Sequence, residues 1–234
     1  MNYINNFAFF WVGNDVSIPQ LLVNSINKSY SNDVNIFFLT DNKTPDIPGT
    51  TQTFRKNLSS NIMIARLEAY SEIKIDNQVL FLDADSLVLN KIKKISSKSS
   101  FIIFRRKKEG HQINHLYPEW YPEFKNKTFD EMMPFLFGAI ITNNKFSYLN
   151  FLSLLNITKD LPARFHRWYG DQYSLKLAIE KKQIDFEEKK FDEFIQIFRD
   201  EESLNNLKKN LITFKGPKSK SMIQSIFNDY FNEK

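Results

Sequence analysis

The chain has 234 residues, of which 42% are hydrophobic and 25% are charged, a balance typical of one large α/β domain or, less naturally, of two small ones. The formal net charge of +5 suits an anionic ligand or an anionic membrane surface, but it is too small to indicate nucleic-acid binding. Because the chain contains no cysteine, disulfide bonds and thiolate metal sites are excluded.

The sequence also shows no targeting or membrane-spanning segment. The N-terminal residues lack the basic segment that opens a secretory signal peptide. No apolar run approaches the roughly 20 residues that a membrane-spanning helix requires. We therefore expect a cytoplasmic protein without a nucleic-acid partner, and its basic charge adds the expectation of peripheral contact with a membrane.

The first 40 residues predict a β-α-β unit. Residues 7–12 form a short apolar run that stops at Gly13, which indicates a buried strand. Ser17 and Pro19 are typical of a helix start, and apolar residues continue at helical spacing as far as Tyr30. Residues 34–39 form a second apolar run. Two buried strands joined by a helix favour a parallel sheet.

The same alternation continues along the chain. Residues 42–50 contain two prolines and a glycine and are typical of a loop. Strands are predicted at 79–82, 101–104, 135–142 and 211–214, and helices at 62–75, 146–155 and 172–180. Because no repeat or linker divides the chain, we expect a single α/β domain over residues 1–234. Its central sheet should be mixed but mostly parallel, with helices on its faces.

Two aspartates directly follow the buried strand at 79–82. In an extended segment, alternate side chains point the same way, so Asp83 and Asp85 should project to one side of small Ala84. They would lie at the carboxyl end of the strand, where open α/β sheets bind ligands. Two converging carboxylates repel each other unless a cation neutralises them, and hard oxygen ligands suit Mg²⁺ or Mn²⁺. The alternative is that either aspartate caps a turn or a helix.

This segment, Phe-Leu-Asp-Ala-Asp-Ser-Leu-Val at 81–88, resembles the Asp-x-Asp segment of glycosyltransferase family 8 and its relatives. Other landmarks of that family have counterparts in the same order over most of the chain, a far more specific signal than any one motif. They are Arg66 on the preceding helix, the apolar segment 135–141, Gly170-Asp171-Gln172, and Thr213-Phe214-Lys215-Gly216, which resembles a late His-Phe-x-Gly motif.

The resemblance implies a GT-A (Rossmann-like) domain in which residues 1–100 bind the nucleotide and residues 101–234 bind the acceptor. The implied activity is a metal-dependent, retaining transfer of a hexose from a nucleotide diphosphate sugar, expected to be a UDP-sugar. The acceptor would be a hydroxyl of a glycan, a lipid-linked molecule or a protein, as in glycan biosynthesis. The implied cofactor is Mn²⁺ or Mg²⁺.

The resemblance assigns the metal to Asp83 and Asp85, with Ala84 beside the donor. The late histidine of the family is a metal ligand, and Thr213 stands in its place. A hydroxyl is a poorer ligand than imidazole, so a metal site here would depend mainly on the two carboxylates.

Three residues are implied to act on the transferred sugar or its diphosphate. Asp171 and Gln172 match positions that contact the sugar near its reacting carbon, and the Arg66 guanidinium suits a diphosphate or a sugar hydroxyl. The alternatives are that Asp171 is only a helix N-cap, and that Arg66 only forms a surface ion pair with Glu68 or another acid.

The nucleotide itself is assigned to two further places. Asn14 and Asp15 end the first strand, where this fold places the base and the ribose, although they could equally form a turn or a helix cap. Gly216, Lys218 and Lys220 follow the last strand, and the lysines could neutralise the leaving diphosphate or form a solvated basic loop.

Residues 105–130 form a polar, basic and aromatic segment without clear periodicity. Its run of four basic residues, 105–108, would meet an anionic acceptor or form a solvated face. His111 and His115 have the spacing of a metal pair on a helix, but the nearby glycine and prolines favour a loop. The segment's rings, and those of residues 166–169, are candidate acceptor contacts or simply core residues.

Two rival functions fit parts of the pattern. A phosphohydrolase of the haloacid dehalogenase type also places Asp-x-Asp after an apolar strand, but usually near the N-terminus. In addition, Leu175 stands where an acid would be expected after Asp171. A non-catalytic protein that binds a sugar or a nucleotide sugar is the second rival, and Thr213 is the residue that favours it.

Overall fold

A computed structural model describes residues 2–31, 33–106, 122–190, 195–198, 209–215 and 220–232. The chain forms two compact units, each built from separate stretches. The first unit takes residues 1–57, 78–96 and 191–234, and the second takes residues 58–77 and 97–190. The assignment of nucleotide and acceptor binding to residues 1–100 and 101–234 stays a prediction.

The described strands and helices, in chain order, have the following bounds. The strands are β1 (Asn6–Phe10), β2 (Asn35–Thr40), β3 (Gln52–Arg55), β4 (Val79–Leu82), β5 (Ser86–Val88), β6 (Phe101–Arg105), β7 (Phe135–Thr142), β8 (Phe186–Lys190), β9 (Ile195–Phe198) and β10 (Leu211–Phe214). The helices are α1 (Ser17–Tyr30), α2 (Ile62–Tyr70), α3 (Phe129–Met132), α4 (Tyr148–Asp160), α5 (Ala163–Arg167), α6 (Gly170–Glu180) and α7 (Ile223–Asn232).

The first unit is built on a parallel sheet. Strand β1 pairs in parallel with β2 on one side and with β4 on the other, and β2 also pairs in parallel with β3. Strands β1 and β4 are buried along their whole length, which explains why they appear in the sequence as continuous apolar runs. Helix α1 connects β1 to β2 and buries Leu22, Val23 and Ile26.

A smaller sheet in the same unit joins the middle of the chain to its late segment. Strand β10 lies between β5, with which it is antiparallel, and β9, with which it is parallel. Its apolar side chains belong to a core with residues of α1 and α7, namely Leu21, Leu87, Leu89, Ile212, Phe214, Ile223, Ile226 and Phe227. This core fixes the position of the residues that flank β5 and β10.

The second unit packs helices against a mixed group of strands. Strand β6 is antiparallel to β7 and parallel to β8. Tyr70 at the end of α2 stacks on Phe137 of β7 with ring centroids 6.2 Å apart, and it meets Phe151 of α4 edge-on at 5.3 Å. Such buried ring pairs add to the burial of their apolar area, so this unit draws on the high phenylalanine content of the chain.

The predicted fold class is confirmed: the chain is α/β, with mixed but mostly parallel strand pairing and helices packed on the strands. Some boundaries were wrong. The helix predicted to reach residue 75 ends at Tyr70, where the Glu72 and Ile73 N–H groups turn back to carbonyls three residues earlier. Ile73 is buried beyond that end, and its apolar character had extended the helical pattern. Among the described helices, none combines the length and apolar character needed to cross a membrane.

Candidate functional site

The carboxylate pair lies where the chain leaves the parallel sheet and enters the small one. Asp83 directly follows β4, and the backbone bends at Ala84 and Asp85 before β5 begins. The Phe214 N–H donates to the Asp85 carbonyl oxygen over 3.0 Å, which ties this bend to the end of β10. The prediction that an extended segment aligns the two side chains is therefore wrong in its reason, because the chain bends between them.

The two carboxylates nevertheless converge on lysine ammonium groups. Lys215 Nζ lies 2.6 Å from Asp83 Oδ2 and 3.9 Å from Asp85 Oδ1. Lys220 Nζ lies 2.6 Å from Asp85 Oδ2. Lys220 was expected near the diphosphate, whereas Lys215 was noticed only as part of a motif. Gly216 and Lys218, the other residues predicted in this segment, lie outside the described residues.

Several buried oxygens around this pair have no hydrogen-bond partner within the described ranges. They are Asp85 Oδ1, the Ser86 hydroxyl and the Thr213 hydroxyl. Ser86 and Thr213 are directly opposite each other in the β5–β10 register, so their side chains share one face of the small sheet. The Thr213 hydroxyl is buried and lies beside β5, the strand that follows Asp83 and Asp85. That it ligates a metal stays a prediction.

The donor set fits a hard divalent cation that brings other ligands with it. Among the described residues, no group of three His, Cys, Asp or Glu side chains could hold a metal ion. The protein's candidate ligands are therefore the two carboxylates and a hydroxyl. Mg²⁺ is commonly held by only one or two carboxylates, with water and substrate phosphates completing its coordination, and Mn²⁺ accepts the same oxygen ligands.

Asp15 has the structural role that was considered as the alternative to nucleotide binding. Its Oδ1 accepts the Ser17 N–H at 2.9 Å at the start of α1, and hydrogen bonds from Ser17 lower the pKa of the Asp15 carboxyl. The Trp11 Nε1–H donates to the Asp15 carbonyl oxygen at 3.0 Å, so the turn is held from both sides. Asn14 is exposed beside it. Contact of either residue with a nucleotide stays a prediction.

A second group of functional candidates belongs to the second unit. Arg66 on α2 forms an ion pair with Asp171 on α6, and its guanidinium lies 4.8 Å from the centre of the Phe137 ring. The Asp171 side chain is fully buried. Glu68, the acid considered as a partner of Arg66, accepts the Ser59 N–H at 3.1 Å and pairs with Lys159 at 3.7 Å.

Asp171 is not the N-cap of α6. The helix begins at Gly170, and the N-cap is Tyr169 in the left-handed conformation at φ 63°, without a side-chain cap bond. Asp171 instead lies inside the first turn, where its Oδ1 accepts the Gln172 N–H at 2.6 Å. A side chain on Gly170 would come within 2.2 Å of the Phe165 carbonyl oxygen, so only glycine lets the helix start here.

Gln172 is held by an arginine that the sequence had placed only in a basic run. Arg106 Nη2 donates to Gln172 Oε1. The arginine is itself fixed by three contacts: its backbone N–H donates to the Pro134 carbonyl at 2.7 Å, its Nε–H to the Phe135 carbonyl at 3.4 Å, and its guanidinium lies 4.9 Å from the centre of the Phe129 ring. This contact between distant segments was not predictable from spacing.

Most of the aromatic and basic candidates of the segment that begins at Arg105 lie outside the described residues. They are Lys107, Lys108, His111, His115 and the rings at 117, 120 and 121. Among residues 166–169, Trp168 follows α5, is 56% exposed, and meets the Tyr169 ring edge-on at 5.9 Å; its contact with an acceptor stays a prediction.

Comparison with known proteins supports the fold. No protein-family profile and no curated protein matches this sequence. Its structure has a glycosyltransferase fold. It matches the glycosyltransferase GlyE of Streptococcus pneumoniae TIGR4 with a TM-score of 0.60 at 14% identity over 97% of this chain, and the apo form of GlyE with a TM-score of 0.58 at 15% identity over 98%. It also matches the bifunctional glycosyltransferase WbbM, TM-score 0.61, at 14% identity over 99% of this chain.

The matched proteins are longer than this chain. The likeness covers 63% of GlyE, 62% of its apo form and 50% of WbbM. At these identities the comparison establishes the fold and not the reaction. The phosphohydrolase alternative receives no support from these neighbours.

Proposed function

We propose that this chain is a glycosyltransferase that moves a sugar from a nucleotide diphosphate sugar, with UDP as the nucleotide, to an acceptor hydroxyl. The observation that carries the proposal is the Asp83–Asp85 pair with its two lysines at the end of a buried parallel strand. Open α/β sheets bind ligands at this edge, and the solved structures with the same fold are glycosyltransferases.

The charges of the pair and its lysines fit a diphosphate bound with a cation. The two carboxylates and the ammonium groups of Lys215 and Lys220 sum to zero formal charge. Adding a divalent cation on Asp83 and Asp85 gives the group a charge of about +2, which complements a diphosphate. When bound, Mn²⁺ or Mg²⁺ would supply positive charge that stabilises the departing diphosphate.

The lysines can change partners in that arrangement. Their side chains are 32% and 40% exposed, so both can reorient without unpacking a core. Once a cation neutralises the carboxylates, Lys215 and Lys220 become available to phosphate oxygens. An ammonium on a flexible stem suits this double use, because it binds phosphate as a point charge with rotatable donors.

The residues of the second unit are proposed to act on the sugar. The Asp171 carboxylate is fully buried, pairs with Arg66 and accepts the Gln172 N–H, and its action on the sugar stays a prediction. Gln172 is only partly buried and is the residue of this group best placed to contact the sugar. Retention of anomeric configuration, a hexose as the transferred sugar, and a glycan, lipid-linked or protein acceptor are parts of the proposal that rest on the family resemblance alone.

Titration calorimetry with UDP, in the presence of Mn²⁺ and in its absence, tests the metal and nucleotide roles. We expect wild-type binding to require the cation and Asp85→Ala to abolish it. Asp46→Ala is the matched control, because Asp46 lies in the same unit and is 78% exposed in an ion pair with Arg55. Equal UDP affinity with and without Mn²⁺, or an unaffected folded Asp85→Ala protein, would remove the metal from the proposal.

A non-catalytic protein that binds nucleotide sugars is the second candidate. The observation in its favour is that, among the described residues, lysines accompany the carboxylate pair, and Thr213 stands at the position of the family's metal-binding histidine. Incubation with a panel of UDP-sugars and Mn²⁺ separates the two functions. Release of UDP, even by slow hydrolysis, supports the transferase. Binding without release across sugars and acceptors supports the binding protein.

A further inference from the structure

The side-chain amide of Gln172 has a fixed orientation. Gln172 lies in the first turn of α6, and its Oε1 accepts a hydrogen bond from Arg106 Nη2. Arg106 is anchored through its backbone N–H, its Nε–H and its guanidinium face by Pro134, Phe135 and Phe129. Because the arginine is held at three other points, it determines where the amide oxygen points.

The chemistry of the pair leaves no choice of which amide atom faces the arginine. A guanidinium has N–H donors only and cannot accept a hydrogen bond. The atom next to Arg106 must therefore be the amide oxygen, and the Nε2 group with its two N–H donors must point away. The positive charge on Arg106 also polarises the amide, drawing electron density from the nitrogen toward the oxygen, which strengthens those N–H donors.

From this geometry we propose that Arg106 is a positioning residue that makes Gln172 a hydrogen-bond donor to an oxygen of the transferred sugar. The inference rests on the proposed function, because it takes Gln172 to contact the sugar. In this arrangement the N–H groups of the Gln172 amide, and not its oxygen, face the sugar.

The test compares the affinities of UDP and of UDP-sugars in the presence of Mn²⁺. The sugar's contribution is the dissociation constant of UDP divided by that of the UDP-sugar, measured by calorimetry for UDP-glucose, UDP-galactose, UDP-N-acetylglucosamine and UDP-N-acetylgalactosamine. With the preferred sugar, we expect Gln172→Met and Arg106→Met each to lower this ratio about fivefold, which corresponds to the loss of one net hydrogen bond. Affinity for UDP alone should stay unchanged.

Further variants separate positioning from a merely structural role. The double variant with methionine at both positions should lose no more than either single one, because Arg106 acts through Gln172. Arg106→Lys keeps a cationic donor and should recover part of the loss. Arg105→Met is the matched control: it removes the adjacent arginine, which pairs with Glu188 and lies over Phe135, and it should leave the ratio unchanged.

Gln172→Glu distinguishes the two ends of the amide. Glutamate keeps an oxygen toward Arg106 but has no N–H to donate, so the proposal predicts the same loss as with methionine. A Gln172→Glu protein that keeps or improves the sugar contribution would overturn the inference, because an oxygen would then be the active atom. An Arg106→Met protein with an unchanged ratio would also overturn it while leaving the proposed function intact. If folded wild-type protein binds no UDP-sugar, the proposed function fails and the inference fails with it.

Discussion

Replacing Thr213 with valine should stabilise the protein. The Thr213 side chain is 1% exposed, and its hydroxyl has no hydrogen-bond partner in the part of the chain that the structure describes. A buried polar group without a partner costs about 1 to 3 kcal/mol, and valine removes the hydroxyl while keeping nearly the same shape. Taking about 1 kcal/mol as the gain, the unfolding midpoint should rise by about 2 to 4 °C for a chain of this size.

Thermal and urea unfolding of the ligand-free protein measure this effect, with Thr40→Val as the matched control. Thr40 is also 1% exposed and also lies in a strand of the first unit, but its hydroxyl donates to the Trp11 carbonyl oxygen at 2.7 Å. The same substitution there should destabilise the protein by about 1 kcal/mol, because it removes a made hydrogen bond and leaves a carbonyl unpaired.

The same variant tests the ligand role of the hydroxyl. If Thr213 ligates the cation, Thr213→Val should bind UDP more weakly with Mn²⁺ even though the free protein is more stable. A stabilised variant with unchanged Mn²⁺-dependent binding would remove Thr213 from the metal site. A destabilised Thr213→Val, comparable to Thr40→Val, would refute the reasoning itself, because the hydroxyl would then have a bonding partner in the folded protein.

Three further predictions follow from the contacts described above. Lys215→Met should tighten Mn²⁺ binding in the absence of nucleotide by about fivefold, because it removes a partly exposed ion pair that competes with the cation for the carboxylates. The same variant should weaken UDP binding. An unchanged Mn²⁺ affinity would show that Lys215 and the cation do not compete. Asp171→Asn should cost about 3 kcal/mol in urea unfolding, because it removes the carboxylate charge that pairs with the largely buried Arg66 guanidinium, and adding Arg66→Met should recover part of that loss. Burial raises the pKa of Tyr30 to about 12. Because the unfolded value is about 10, the folded state holds this proton more tightly, and stability should fall by at most about 2 kcal/mol from pH 10 to 12. Tyr30→Phe should abolish that pH dependence, and a persistent dependence would assign it to another group.

The sequence was most informative where a segment is buried on both sides. Strands β1 and β4 contain almost only apolar residues, so their type and approximate position could be predicted. Strands β3 and β8 were missed because each is an edge strand of its own unit and carries polar and charged side chains. Edge strands are often charged, and such a segment has neither an apolar run nor a clear alternation.

The candidate site was predictable where its residues are close in sequence. Asp83 and Asp85 became candidates because a buried strand leads directly into them, and Asp171 and Gln172 because Gly170-Asp171-Gln172 resembles a motif of the family. Their partners could not be identified from spacing. The contact between Arg106 and Gln172 spans 66 positions, and it depends on the strand pairing and helix packing of the second unit. No local pattern carries that information.

The distance along the chain between Asp83 and its lysine has a consequence for how the protein is made. Lys215 comes 132 residues after Asp83 and directly follows β10, a strand that pairs with β5 across a long stretch of sequence. A chain growing from the ribosome therefore exposes both carboxylates long before either ammonium group exists. Closing so long a loop has an entropy cost, which slows the pairing of β10 with β5. The carboxylate site is thus among the last parts of the first unit to mature, and until then its two carboxylates lack the ammonium groups of Lys215 and Lys220.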